Sequence, residues 1–133
     1  MSKADIYNLK PAYKEYVLTD IQLEQIFSDL LEKETGYPVD VYVYVDDEVD
    51  LVYAEVDCSN LTEEEEKEFL SRLPEGMYKG KLYENARILG EMLFGKGTVL
   101  YFHEYLDENN PEETDYILIY ARVPIEGEEL CAS

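Results

Sequence analysis

Residues 39–59, with the sequence VDVYVYVDDEVDLVYAEVDCS, alternate between apolar and polar side chains almost without exception. Successive side chains of a β-strand point to opposite faces of a sheet, so this period of two predicts two half-buried strands. One face carries the apolar side chains of Val39, Val41, Val43, Val45, Val52, Ala54, Val56 and Cys58. The other face carries Asp40, Tyr42, Tyr44, Asp46, Tyr53, Glu55 and Asp57. We therefore expect a hairpin that is closed by an acidic loop containing Asp47, Glu48 and Asp50.

The register of this hairpin is restricted, because a slip of one residue would turn a whole strand inside out. One allowed antiparallel register places Tyr44 opposite Tyr53. The same register places Tyr42 opposite Glu55, and Asp40 opposite Asp57. Carboxylates that lie directly opposite each other destabilise a sheet. Threonine or lysine would serve folding better at these positions, so the acids favour a functional interpretation of this face.

Three helices are predicted from capping residues and apolar stripes. The first begins with a capping box of Thr19 and Gln22 and ends at Gly36, and its stripe contains Ile21, Ile26, Phe27, Leu30 and Leu31. The second begins with a capping box of Thr62 and Glu65, and its apolar residues are Phe69, Leu70 and Leu73. The third is expected over residues 81–94, with Leu82, Ala86, Leu89 and Leu93 on one face. Residues 1–18 are expected to be irregular or to form a short helix.

Two further strands are predicted at residues 98–106 and 115–123. Their inward side chains would be Leu100, Phe102, Ile117, Ile119, Ala121 and Val123. Their outward side chains would be Tyr101, His103, Tyr105, Tyr116, Tyr120 and Arg122. The resulting order, α-β-β-α-α-β-β, predicts one α+β domain over residues 1–133. We expect a mostly antiparallel four-stranded sheet of two hairpins, with about three helices on one face.

The charge of the chain restricts its partners. With 31 Asp and Glu against 11 Lys and Arg, the formal net charge is −20. So acidic a chain is not expected to bind nucleic acid or an anionic membrane directly, because like charges repel. Its 13 tyrosines and many aliphatic residues predict a folded rather than disordered protein. Without an apolar leader or a membrane-length stretch, we expect a cytoplasmic protein whose two cysteines, Cys58 and Cys131, are reduced.

Catalytic signatures are absent from the sequence. The single histidine, His103, lies in an aromatic strand, where a structural role is the more common one. No nucleotide-binding glycine motif occurs, and neither acidic loop has the ligand spacing of an EF-hand. We therefore expect no enzymatic activity, no cofactor and no resident metal ion. An alternative is a small enzyme or ligand-binding domain in which His103 lines a pocket with Tyr101, Tyr105 and Arg122.

The acidic residues are clustered along the chain. Residues 34–71 hold 13 acids and one base, and residues 102–133 hold nine acids and one base. Five of the eleven bases fall between residues 72 and 96. Alternate residues of a strand are roughly 6.6 Å apart, which is comparable to the step between backbone phosphates. Carboxylates at that spacing could occupy a basic nucleic-acid-binding channel, and the interleaved tyrosines would add contact area.

In its composition the chain resembles the acidic DNA-mimic inhibitors that phages and mobile elements use against restriction and CRISPR nucleases. The resemblance implies a small, non-enzymatic inhibitor, either anti-CRISPR or anti-restriction, whose partner is a basic nucleic-acid-binding protein such as a bacterial nuclease. The predicted partner-binding residues are Asp40, Tyr42, Tyr44, Asp46, Asp47, Glu48, Asp50, Tyr53, Glu55 and Asp57, supported by Glu63, Glu64, Glu65 and Glu66. An immunity protein or antitoxin that neutralises a basic toxin would use the same electrostatics and stays an alternative.

Overall fold

The computed structural model describes residues 12–74, 77 and 82–125, which form five strands and three helices. In chain order they are β1 (Tyr13–Thr19), α1 (Asp20–Thr35), β2 (Asp40–Asp46), β3 (Leu51–Asp57), α2 (Glu63–Arg72), α3 (Leu82–Phe94), β4 (Val99–Leu106) and β5 (Thr114–Pro124). The α+β class, the three helices and the two hairpins agree with the prediction. No helix among these described residues is long and apolar enough to cross a membrane.

The predicted four-stranded sheet is wrong, because the strands form two separate antiparallel sheets. One sheet has the order β1-β5-β4, and the other consists of β2 and β3. At the junction, Leu51 and Val52 of β3 face Val99 and Leu100 of β4 across a pocket of about 290 Å³. This pocket takes the place of the hydrogen-bonded ladder that would have joined the two hairpins.

Strand β1 corrects the prediction that residues 1–18 are irregular or form a short helix. Residues 13–19 pair along β5, from Tyr13 opposite Pro124 to Thr19 opposite Leu118. The sequence hides this strand because Tyr16, Val17 and Leu18 are consecutive apolar residues and conceal the period of two. Residues 1–11 of the same prediction lie outside the described residues.

The predicted register of the β2–β3 hairpin is confirmed at every pair. Tyr44 lies opposite Tyr53, and Asp40 lies opposite Asp57. Tyr42 lies opposite Glu55. The inward valines and Ala54 are buried or half-buried. The alternation of the sequence therefore fixes which side chains of the hairpin reach solvent.

Both predicted capping boxes are present. The Gln22 N–H donates to Oγ1 of Thr19 (3.1 Å), and the Gln22 side chain accepts from the Thr19 N–H (3.0 Å). Thr62 and Glu65 make the same pair of hydrogen bonds at the start of α2. The prediction is wrong for one residue of the apolar stripe of α1. Ile21 is 71% exposed, and the helix instead buries Leu23, which lies on the same face as Phe27 and Leu31.

The core lies between the two sheets and the three helices. Its buried side chains are Leu23, Phe27, Leu31, Val39, Val41, Val43, Val52, Ala54, Cys58, Phe69, Met77, Ala86, Leu89 and Ile119. Of the other residues predicted to lie in the core, Ala121 is buried and Leu93 is half-buried. Cys131 and the side chain of Leu82 lie outside the described part of the chain. Helices α1 and α3 contact both sheets. Each sheet therefore packs one face against these two helices.

Candidate functional site

The outward side of the β2–β3 hairpin forms a surface of acids and tyrosines, which we call the hairpin face. It consists of Asp40, Tyr42, Tyr44, Asp46, Leu51, Tyr53, Glu55 and Asp57. Tyr42 and Tyr44 are each 42% exposed, and Asp40 and Glu55 are also exposed. The Tyr44 and Tyr53 rings stack with their centroids 5.4 Å apart. The structure thus brings together seven of the predicted partner-binding residues on one continuous surface.

A depression of about 590 Å³ joins this surface to the start of α2. Tyr42, Tyr44, Glu55 and Asp57 line it on the hairpin side, and Glu66 lines it on the helix side. Of the predicted supporting acids, Glu63 and Glu64 are exposed, whereas Glu65 completes the helix cap. Glu66 is therefore the residue of this run that the fold places nearest to the hairpin face.

The carboxylates of the hairpin face affect the titration of their neighbours. The Ser59 main-chain N–H donates to Oδ1 of Asp57 (2.9 Å), and this bond chiefly lowers the pKa of Asp57. Negative charge on Asp40 is the main cause that raises the pKa of Tyr42, followed by burial and by the charge of Asp57. Asp57 is consequently held in its anionic form, and Tyr42 stays neutral near pH 7.

The four-residue tip of the hairpin, residues 47–50, adds further carboxylates. The Glu48 N–H donates to Oδ1 of Asp46 (3.0 Å), and Asp50 adopts a left-handed backbone with φ of 54°. Asp47 and Asp50 share a shallow depression of about 370 Å³ with the β4 residues Phe102, His103, Glu104 and Leu106. The acidic tip therefore lies beside the second half of β4.

Acids are not confined to this side of the protein. Asp29, Glu32 and Glu34 are exposed on α1, which packs against the inner side of the sheets. The arginines that form ion pairs do so with other acids: Arg72 with Glu68, Arg87 with Glu84 and Glu91, and Arg122 with Glu15. None of these pairs uses a carboxylate of the hairpin face.

Side chains of α1 occupy part of the outer edge of the hairpin, at Val43 of β2 and at Val39, the residue before this strand. The Val43 N–H donates to Oε2 of Glu24 (2.9 Å), and the Ser28 hydroxyl donates to the Val39 carbonyl. The unpaired N–H and C=O groups of an exposed strand edge can form hydrogen bonds with a strand of another chain, and these two bonds occupy part of that edge. The hairpin is therefore better suited to bind a partner through its face than by adding a strand at β2.

The outward side of the other sheet is a second surface, which we call the tyrosine face. It consists of Tyr13, Glu15, Val17, Val99, Tyr101, His103, Tyr105, Tyr116, Leu118, Tyr120 and Arg122. Tyr101 stacks on Tyr120 with centroids 5.0 Å apart, and Tyr105 stacks on Tyr116 at 4.5 Å. The outward orientation of these β4 and β5 residues was predicted, except for Val99 and Leu118. The contribution of β1 was missed, because its pairing with β5 has no local signal.

His103 is an exposed member of this face, and the shallow depression that it lines beside the hairpin tip is not lined by Tyr101, Tyr105 or Arg122. Its ring meets the edge of Tyr105 with centroids 4.5 Å apart. Tyr101 and Arg122, its proposed pocket partners, instead bond to Glu15. Within the described part of the chain, no group of three or more His, Cys, Asp or Glu side chains is placed to hold a metal ion.

Replacing Tyr101 with phenylalanine should raise the pKa of Glu15. The Tyr101 hydroxyl donates to the Glu15 carboxylate, and this bond is the chief cause of its lowered pKa. A carboxyl group whose pKa is lowered on folding stabilises the folded state at pH values above its ordinary pKa. This stabilisation is lost as the pH falls through the lowered pKa of the folded state. We expect Tyr101→Phe to shift the NMR titration of Glu15 upward and Tyr105→Phe to leave it unchanged. Identical Glu15 titrations in wild type and Tyr101→Phe would contradict this assignment.

Comparison with known proteins yields no matching family model, curated protein or solved structure. Function must therefore be argued from the two surfaces and their chemistry.

Proposed function

We propose that the chain is a non-enzymatic inhibitor that mimics nucleic acid and blocks a basic DNA-binding or RNA-binding surface of a bacterial defence nuclease, of the CRISPR or restriction class. The observation that carries the proposal is the hairpin face, an array of carboxylates and tyrosines on one side of a regular antiparallel hairpin. Two opposed acids in that array, Asp40 and Asp57, oppose folding, so their presence favours a role in binding.

The carboxylates at one end of the hairpin face have a spacing that suits a phosphate-binding groove. Glu55 and Asp57 are alternate residues of β3 and lie roughly 6.6 Å apart, whereas Asp40 and Asp46 of β2 are separated by two tyrosines and lie roughly 20 Å apart. Across the hairpin, directly opposed Cβ atoms are about 4.5–5.5 Å apart, as between Asp40 and Asp57. Lysine and arginine side chains that normally neutralise phosphates would meet Asp40, Glu55 and Asp57 at one end of the hairpin face, and Asp46 with the acidic tip at the other.

The tyrosines of the hairpin face supply contact area between the charges. Tyr42 and Tyr44 border the depression that extends to Glu66. Tyrosine buries a large ring and keeps a hydroxyl for hydrogen bonding, which accounts for its enrichment at protein interfaces. Charge would steer the encounter, and the rings would slow dissociation.

The test is inhibition of DNA cleavage by a panel of purified restriction and CRISPR nucleases, measured from low to high salt. We expect at least one nuclease to be inhibited, with an inhibition constant that rises steeply with salt and with added non-cleavable duplex DNA. An inhibition constant that changes with neither salt nor duplex DNA, for a nuclease that the chain does inhibit, would contradict the mimic mechanism. Failure to inhibit any member of the panel would contradict the proposed target class.

A further inference from the structure

The tyrosine face already holds one guanidinium group, which belongs to the chain itself. Arg122 lies over the Tyr13 ring at 4.2 Å and over the Tyr101 ring at 5.0 Å. It also donates to the Tyr101 hydroxyl (3.1 Å) and to the Glu15 carboxylate (3.3 Å). A planar guanidinium stacks on aromatic rings and pairs with carboxylates, and both interactions are present here.

The same two components, stacked rings and nearby acids, recur at the other end of the face. Tyr105 and Tyr116 stack nearly parallel, at 14°, and Tyr116 is 47% exposed. A depression near this pair is lined by Phe102, His103, Glu104 and Leu106 of β4 and by Asp47 and Asp50 of the hairpin tip, and His103, whose ring lies 4.5 Å from that of Tyr105, links it to the stacked rings. From Tyr101 to Tyr105 is about 13 Å along the strand, which leaves room for two guanidinium groups.

We infer that the Tyr105–Tyr116 pair and the neighbouring hairpin tip form a docking site for an arginine side chain of a basic partner protein. The inference rests on the proposed function, since it names the side chain through which that basic partner is recognised beside the hairpin face. The net charge of −20 favours a cationic occupant. A second copy of this chain or a single-stranded nucleic acid would bring like charge to the same acids.

Arginine fits this site better than lysine. Its flat, weakly hydrated guanidinium can stack on the paired rings while its N–H groups reach a carboxylate. Lysine offers a compact, strongly hydrated charge that gains less from a ring face.

The test compares nona-arginine with nona-lysine peptide at one ionic strength, by calorimetry and by NMR of the tyrosine rings. We expect the wild-type chain to bind nona-arginine about tenfold more tightly, with shifts of the Tyr105 and Tyr116 ring signals. Tyr105→Leu with Tyr116→Leu should remove the preference, whereas Tyr105→Phe with Tyr116→Phe should retain it. If the leucine variant does not fold, the ring shifts in the wild-type chain decide the question.

Equal affinity for both peptides, or a preference that survives the leucine variant, would overturn the site. Ring shifts caused by oligo-dT, or by raising the concentration of the chain alone, would overturn it in favour of another occupant. Nuclease inhibition is a separate measurement, because an arginine preference without inhibition supports this site while refuting the proposed function. Inhibition without an arginine preference refutes only this site.

Discussion

Reversing the charge of Asp40 and Glu55 together should weaken inhibition roughly 100-fold while raising the melting temperature of the free protein. Each lysine removes an attraction to the basic partner and adds a repulsion, and the effects of charge pairs at interfaces are large enough for this loss. At the same time, Asp40→Lys replaces the repulsion across the strands from Asp57 with an attraction. The inhibition constant in a cleavage assay and the thermal midpoint of the free chain measure the two effects.

The matched control reverses two acids on the opposite side of the molecule. Glu32 and Glu34 are exposed on α1, so Glu32→Lys with Glu34→Lys makes the same change in net charge away from the hairpin face. We expect it to weaken inhibition only slightly, through the overall field of the protein. Equal losses in the two double variants would mean that total charge, and not the hairpin face, determines binding.

Truncating Phe69 to alanine should lower the free energy of unfolding by about 3–5 kcal/mol. Phe69 is fully buried and is the buried side chain that anchors α2 to the core. Stabilities of small domains are about 5–15 kcal/mol, so the loss would remove a large part of the total. Because Glu66 lies on the same helix, loosening α2 should also open the depression beside the hairpin face.

Urea denaturation measures the loss, and Lys67→Ala is its control on the same helix. Lys67 is exposed, so its replacement should change stability by less than about 0.5 kcal/mol. A Phe69→Ala protein as stable as the wild type would mean that α2 does not depend on this anchor. The position of Glu66 would then need another explanation.

Local patterns made the hairpin and the helix starts predictable. Tyr44 and Tyr53 are only nine residues apart, and their pairing follows from alternation across one short loop. Thr19 and Thr62 each form a capping box with the residue three positions later, and this spacing predicts the start of the helix. In such cases the two residues that interact lie within about ten residues of each other in the sequence, so a local pattern can identify both.

Long-range pairing explains what the sequence could not reveal. Tyr13 lies opposite Pro124, and no local feature of either residue specifies the other. The tyrosine face depends on this pairing, because β1 supplies the Tyr13 ring and the Glu15 carboxylate that hold Arg122. The gap between the two sheets likewise depends on how α1 and α3 pack, which alternation does not encode.

Glu24 accepts a hydrogen bond from the Val43 N–H, and Ser28 donates one to the Val39 carbonyl. These bonds allow the outward side chains of the hairpin to vary in sequence while the strand edge stays protected. A neighbouring molecule cannot extend the sheet at β2 without first displacing the α1 side chains that occupy Val43 and Val39. Outward tyrosines and acids of the hairpin can therefore be substituted without creating a new route to fibre growth at this edge.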